Sequence, residues 1–178
     1  MKRNFYELLL ILLVVLISFN VKGQPIPLNP YAKKVRHQIN HIDKYLDSNY
    51  VKQLFEIDSI SINGKLWKNK IETENFFIKS GTSLKIEYYL NKDKLIFIKV
   101  TETSRTLGGL ASSICEFYYK NEKQVYKWTY YKRPTGIAMK PDDDIKEIYG
   151  YNKCLTEEFL NAYLEILFRK LKTTHNSC

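Results

Sequence analysis

Residues 86–97, IEYYLNKDKLIF, and residues 115–126, CEFYYKNEKQVY, align without a gap at an offset of 29 positions. Glu87 falls on Glu116, Tyr88 on Phe117, Tyr89 on Tyr118, Asp93 on Glu122, Lys94 on Lys123, Ile96 on Val125 and Phe97 on Tyr126. In each copy an arm rich in β-branched and aromatic residues enters a short polar turn and a similar arm leaves it, which is the pattern of a β-hairpin. Joining the two hairpins through residues 103–113 gives an antiparallel meander. Two copies are too few for a solenoid or a propeller, so the same local physics is repeated inside one sheet.

Upstream, Phe55 and Ile57 alternate in one phase and Ile60 and Ile62 in the other, which predicts a bulge near Asp58-Ser59 within a single strand. Asn63-Gly64 then reads as a tight hairpin turn, because this dipeptide takes left-handed angles readily. Residues 70–79 supply a further strand. Helices bracket the strands: Val35, Ile39, Ile42 and Leu46 share one helical face over residues 31 to about 48. Near the C-terminus, Leu160, Tyr163, Leu164, Leu167 and Leu171 form a second stripe, with Thr156, Glu157 and Glu158 at its start and Arg169, Lys170 and Lys172 at its end. The fold expected is α+β, a curved antiparallel β-meander of about five to seven strands flanked by an N-terminal and a C-terminal helix.

Outside this domain, Met1-Lys2-Arg3 followed by the apolar run LLLILLVVLISF at 8–19 has the charge and the length, roughly 7 to 15 residues, of a signal-peptide core. Val21-Lys22-Gly23 places short side chains before a cut at Gln24. A membrane-spanning helix needs about 20 apolar residues, and Glu7 and Asn20 bound this run too closely. The expected organisation is a signal peptide at 1–23 and a single domain at 24–178, exported to the periplasm or the extracellular space, with no transmembrane segment after cleavage. Cleavage removes Lys2, Arg3, Lys22 and Glu7, so the formal charge falls from +9 to +7. The remaining lysines are scattered singly, as on solvated strand faces, and no nucleic-acid partner is expected.

Of the three cysteines, Cys115, Cys154 and Cys178, one pair can form a disulfide in an exported chain, and the spacings match no zinc or redox motif. Cys115 suits a small apolar filler in a buried strand. His37 and His41 lie four apart on the polar side of the first helix but lack the Glu of H-E-x-x-H, so no metal site is read there. Residues 142–144 (Asp142, Asp143, Asp144) lack the spacing of a calcium loop and read as the start of a helical turn. The segment TSRTLGGLASS at 103–113 matches no phosphate-binding loop and reads as a flexible connection between strands. No nucleophile stands with a base, so no catalytic residue and no cofactor is assigned.

What stands out is the aromatic content of the second hairpin. A tyrosine ring can pack while its hydroxyl reaches water, so this surface suits either core or a ligand platform. Tyr126, Trp128 and Tyr130, with Tyr119 and Phe117, are the ligand-binding candidates. The leucine stripe of the last helix needs an apolar partner, and the Tyr126, Trp128, Tyr130 row is the one it is expected to cover. The functional expectation is a non-catalytic binding module holding an apolar or aromatic-stacking ligand, or a partner protein, on a concave sheet. An exported enzyme using carboxylates near Asp142–Asp144 and a structural envelope protein are the alternatives.

Overall fold

The computed structural model describes residues 29–57, 60–77, 82–106, 109–132, 138–139 and 157–175. Helix α1 spans Pro30–Lys44. The Asn29 side chain accepts from the Ala32 amide at 2.9 Å and Pro30 occupies the first turn, where its missing N–H costs nothing. The helix ends earlier than the apolar spacing suggests. The Tyr45 amide closes on the His41 and Ile42 carbonyls, and the Asp47 carboxylate then accepts from the Asn49 amide at 3.1 Å and the Ser48 hydroxyl at 3.3 Å. That local bonding competes with helical continuation, so Leu46 falls outside the helix.

Among the described residues eight strands follow, β1 (Val51–Ile57), β2 (Ile60–Trp67), β3 (Lys70–Phe77), β4 (Thr82–Asn91), β5 (Lys94–Thr106), β6 (Gly109–Lys120), β7 (Lys123–Lys132) and β8 (Ala138–Met139). They lie side by side in chain order and every pair is antiparallel, so the expected meander is what forms. Helix α2 (Glu157–His175) ends the described chain. No helix among the described residues is long and apolar enough to cross a membrane.

The 29-residue repeat extends to backbone detail. Lys92 and Asp93 have φ of 50° and 61°, and Asn121 and Glu122 have 51° and 63°, so both hairpins turn on two left-handed residues. Such turns match the twist of the strands they join. Each hairpin carries a register shift at the equivalent place, Tyr89/Leu90 in one and Tyr118/Tyr119 in the other.

The first hairpin differs from expectation. β1 and β2 pair with Ile57 opposite Ile60, so the change of apolar phase marks a chain reversal and not a bulge. Asn63-Gly64 sits in mid-strand, paired to Leu54 and Gln53 on one side and to Glu74 and Thr73 on the other. A β-carbon on Gly64 would lie 3.5 Å from the Leu171 side chain, so this glycine faces the helix that packs on β2. The next reversal comes at Lys68-Asn69, with Trp67 opposite Lys70. The connection expected at 103–113 is also mostly strand, with β5 and β6 paired from Phe97↔Tyr118 out to Thr106↔Gly109.

Each helix covers its own face of the sheet. α1 packs Ala32, Val35 and Ile39 on Tyr89, Phe97 and Tyr118. α2 packs Leu160, Tyr163, Leu164, Leu167 and Leu171 on Ile62, Leu66, Ile71, Leu84, Ile86, Tyr88, Ile98, Val100 and Phe117. An antiparallel sheet usually keeps one face wet and alternates. Here the central strands are covered twice, and Ile114 to Tyr118 are all buried in succession. That double burial is why the second hairpin carries so many aromatic residues.

Two polar contacts fix α2 in place. The Tyr163 hydroxyl donates to Asn75 Oδ1 at 2.9 Å, while the Asn75 amide donates to the Leu84 carbonyl at 2.9 Å and the Thr73 hydroxyl at 3.1 Å. The Tyr88 hydroxyl donates to the Leu164 carbonyl at 3.2 Å. Cys115 is a buried free thiol on the same side, accepting from the Thr129 hydroxyl at 3.4 Å, which bears out its reading as a filler. Cys154, Cys178, residues 142–144 and the segment 1–23 lie outside the described residues.

Candidate ligand-binding groove

A groove of about 970 Å³ opens between the flank of α2 and the outer ends of the two repeated hairpins. Its floor is apolar: Leu95, Ile98 and Tyr119 from β5 and β6, Leu164 and Phe168 from α2. Its rim is polar, with Glu122 and Gln124 from the second hairpin and Asn161, Glu165, Arg169, Lys172 and Thr173 from the helix. Phe168 is positioned by stacking on Tyr88 at 5.1 Å between ring centres, tilted by 26°. Arg169 pairs with Glu165 one turn before it. Lys172 donates to the Asp93 carbonyl at 3.4 Å, tying the helix end to the first hairpin turn. Burial pushes the Tyr119 phenol up, and the nearby Glu165 carboxylate adds to it, so Tyr119 presents a neutral donor in the groove.

The residues singled out from sequence divide among three places. Tyr119 lines the groove, whereas Phe117, 1 % exposed, is core beneath α2. Tyr126, Trp128 and Tyr130 lie opposite Tyr118, Glu116 and Ile114, which puts them on the α1 face. The final helix therefore does not cover that row, contrary to expectation; it covers the row of Leu84, Ile86 and Tyr88 on the other side. Strand parity forces this outcome, because Tyr118, which α1 covers, is a direct cross-strand neighbour of Tyr126.

On the α1 face Trp128 and Tyr130 stack at 4.6 Å, and the Arg36 guanidinium stands 5.3 Å from the Trp128 ring centre. Arg36 also donates to Glu116 at 2.6 Å and to the Tyr118 hydroxyl at 3.0 Å, and that hydroxyl donates to Glu116 at 2.6 Å. The half-buried aromatic row is thus already engaged by the protein's own cation.

Beside it runs an ionic row, Glu72, Glu87, Lys99 and Glu116, in direct cross-strand register, with Glu87 and Glu116 buried and Glu72 and Lys99 partly so. Lys70, only 6 % exposed, reaches into it, contacting Glu87 at 3.0 Å, Glu72 at 3.8 Å and Asp43 of α1 at 2.9 Å. Scattered lysines read as solvated in the sequence, and Lys70 corrects that reading. Burial opposes its charge, but Tyr89, Asp43 and Glu87 outweigh burial and raise its pKa. Burial likewise raises the Glu87 carboxyl, yet Lys70, Lys99 and Lys85 prevail and hold it below the ordinary carboxylate range. These groups are fixed as ion pairs that bind α1 to the sheet.

His37 is exposed, and the His41 ring packs 4.7 Å from that of Tyr45. Among the described residues no cluster of three His, Cys, Asp or Glu side chains is disposed to hold a metal ion. Of the remaining floor residues, Leu164 was read from the sequence only as part of the helix packing stripe, and Leu95, Ile98 and Phe168 were not singled out. Phe168 carried a signal as an aromatic one turn after Leu164, on the edge of that stripe.

No family model, no curated protein and no solved structure matches the chain. The class defined by fold and site is an α+β antiparallel meander with one helix on each face and an open groove at one end.

Proposed function

We propose that this chain is an exported, non-catalytic binding module that takes one apolar or aromatic small molecule in the groove between α2 and the tips of the repeated hairpins. The observation that carries it is the groove itself, about 970 Å³ with an apolar floor and a polar rim. Ligand sites are typically concave, mostly apolar and furnished with a few polar groups that orient the guest. Export rests on the basic start and apolar run at 1–23.

A second reading places an aromatic ligand on the Trp128 and Tyr130 stack. It requires displacement of Arg36, which holds Glu116 and Tyr118 at the same time.

Titration with the neutral fluorophore N-phenyl-1-naphthylamine separates the two. The expected result is saturable binding of one equivalent, weakened at least about tenfold by Phe168→Ala, a loss of about 1.4 kcal/mol, and unchanged by Trp128→Ala. Weakening by Trp128→Ala alone would move the site to the α1 face, and absence of saturable binding would overturn the groove reading.

A further inference from the structure

The two hairpin tips part from each other. β4 pairs with β5, and β6 with β7, right to their turns at Lys92-Asp93 and Asn121-Glu122. Between the hairpins, however, β5 and β6 are in register only from Phe97↔Tyr118 inward. Lys94 to Ile96 and Tyr119 to Lys120 run on to the tips without pairing with one another. The register shifts at Tyr89/Leu90 and Tyr118/Tyr119 fall at this same level. Shifts of this kind bend a strand and increase its local twist, which turns the tips away from the plane of the sheet. At the parting the Tyr31 hydroxyl of α1 donates to the Tyr119 carbonyl, pinning the helix to its edge.

The notch has chemically different sides. On the α2 side is the groove, whose rim carries two cations, Arg169 and Lys172, and two carboxylates, Glu122 and Glu165. On the α1 side is a smaller cavity of about 320 Å³, lined by Lys34, Lys92, Lys94 and Lys120 with the amides of Gln38 and Asn121, and no carboxylate is among its lining residues. Leu95 and Tyr119 stand in the wall of both. An apolar groove therefore meets a cavity of single-sign charge across two side chains.

We propose that the ligand of the groove is an anionic amphiphile, an acyl chain ending in one carboxylate or phosphate. Its tail lies along Leu164, Phe168 and Ile98, and its head passes the Leu95 and Tyr119 edge to reach the four lysines. This rests on the groove reading above and adds the chemistry of the ligand. A balanced rim offers an anion no net attraction, whereas a concave wall of one sign concentrates counter-charge. Lysine supplies compact, mobile point charges that suit either head.

The test is calorimetric titration of the full native chain with dodecanoate, dodecyl phosphate and dodecanol, each below its micelle concentration. Wild type should bind the two anions at least about tenfold more tightly than the alcohol at low salt, and the margin should narrow as added salt screens the lysines. The quadruple variant Lys34→Gln, Lys92→Gln, Lys94→Gln, Lys120→Gln changes only exposed side chains. It should bind all three compounds alike, with its dodecanol affinity unchanged, which also reports that it is folded. The ratio of dodecanoate to dodecyl phosphate affinity identifies the head. Equal binding of dodecanol and dodecanoate by wild type would overturn the anionic assignment and leave the groove reading standing. A preference that survives in the quadruple variant would place the head elsewhere and overturn it too. Failure of all three compounds to bind would overturn the groove reading itself.

Discussion

Phe117→Ala is expected to cost about 3 to 5 kcal/mol in denaturant unfolding, the loss that follows when a fully buried aromatic is truncated and leaves a cavity. Phe117 is 1 % exposed on the central strand β6, among Ile98, Val100 and the leucines of α2. Trp128→Ala, two strand positions from the same hairpin's core but on the α1 face, should cost only about 1 to 2 kcal/mol, since its ring is half-buried and covered by the Arg36 guanidinium. The contrast reads out which face each helix occupies. Equal losses for the two variants would mean that α2 lies over the Trp128 row after all.

Lys70→Met should be comparably severe at pH 7, about 3 to 5 kcal/mol, because removing one partner of a buried ion pair strands the other charges. Glu87, Glu72 and Asp43 would all lose their shared cation. The pH dependence identifies the cause. In the wild type Glu87 titrates below its unfolded value, so its contribution is present above about pH 4.3 and is lost as pH falls through the lower folded value. In the variant only Lys99 and Lys85 oppose burial, so the Glu87 carboxyl lies higher than in the wild type. The variant then takes up its proton at a higher pH than the wild type, so its deficit against wild type shrinks as pH falls toward 4.5. Lys70 itself adds no slope in that window, because its raised pKa makes its contribution complete at any pH below its unfolded value. A deficit that stayed constant from pH 7 to 4.5 would show that lost packing, and not the ion pair, sets the cost.

The sequence carried the meander legibly because hairpins announce themselves locally. Two polar turns between β-rich arms, repeated at one offset, located β4 to β7, whereas their matching register shifts carried no local signal. The stripe from Leu160 to Leu171 was equally plain, since one helix face carries it whole. Asn63-Gly64 misled because its turn propensity is local, whereas its strand pairing and the approach of Leu171 come from segments distant in the chain. Alternation divides a strand into two faces but does not say which helix lies on which, so Trp128 was assigned to the wrong cover. Lys70 reads as one scattered cation until Asp43, Glu72 and Glu87 converge on it in space. The groove is hardest to read: Leu95, Tyr119 and Phe168 come from three elements, and only the packing of α2 on the hairpins brings them together.

The central claim is that the groove between α2 and the hairpins is a ligand site, and chemical-shift mapping of the native chain titrated with dodecanoate tests it most directly. The account predicts saturable shifts concentrated on Leu95, Ile98, Tyr119, Leu164 and Phe168, with Trp128 and Tyr130 unmoved. Shifts centred on Trp128, Tyr130 and Arg36, or none that saturate, would contradict it.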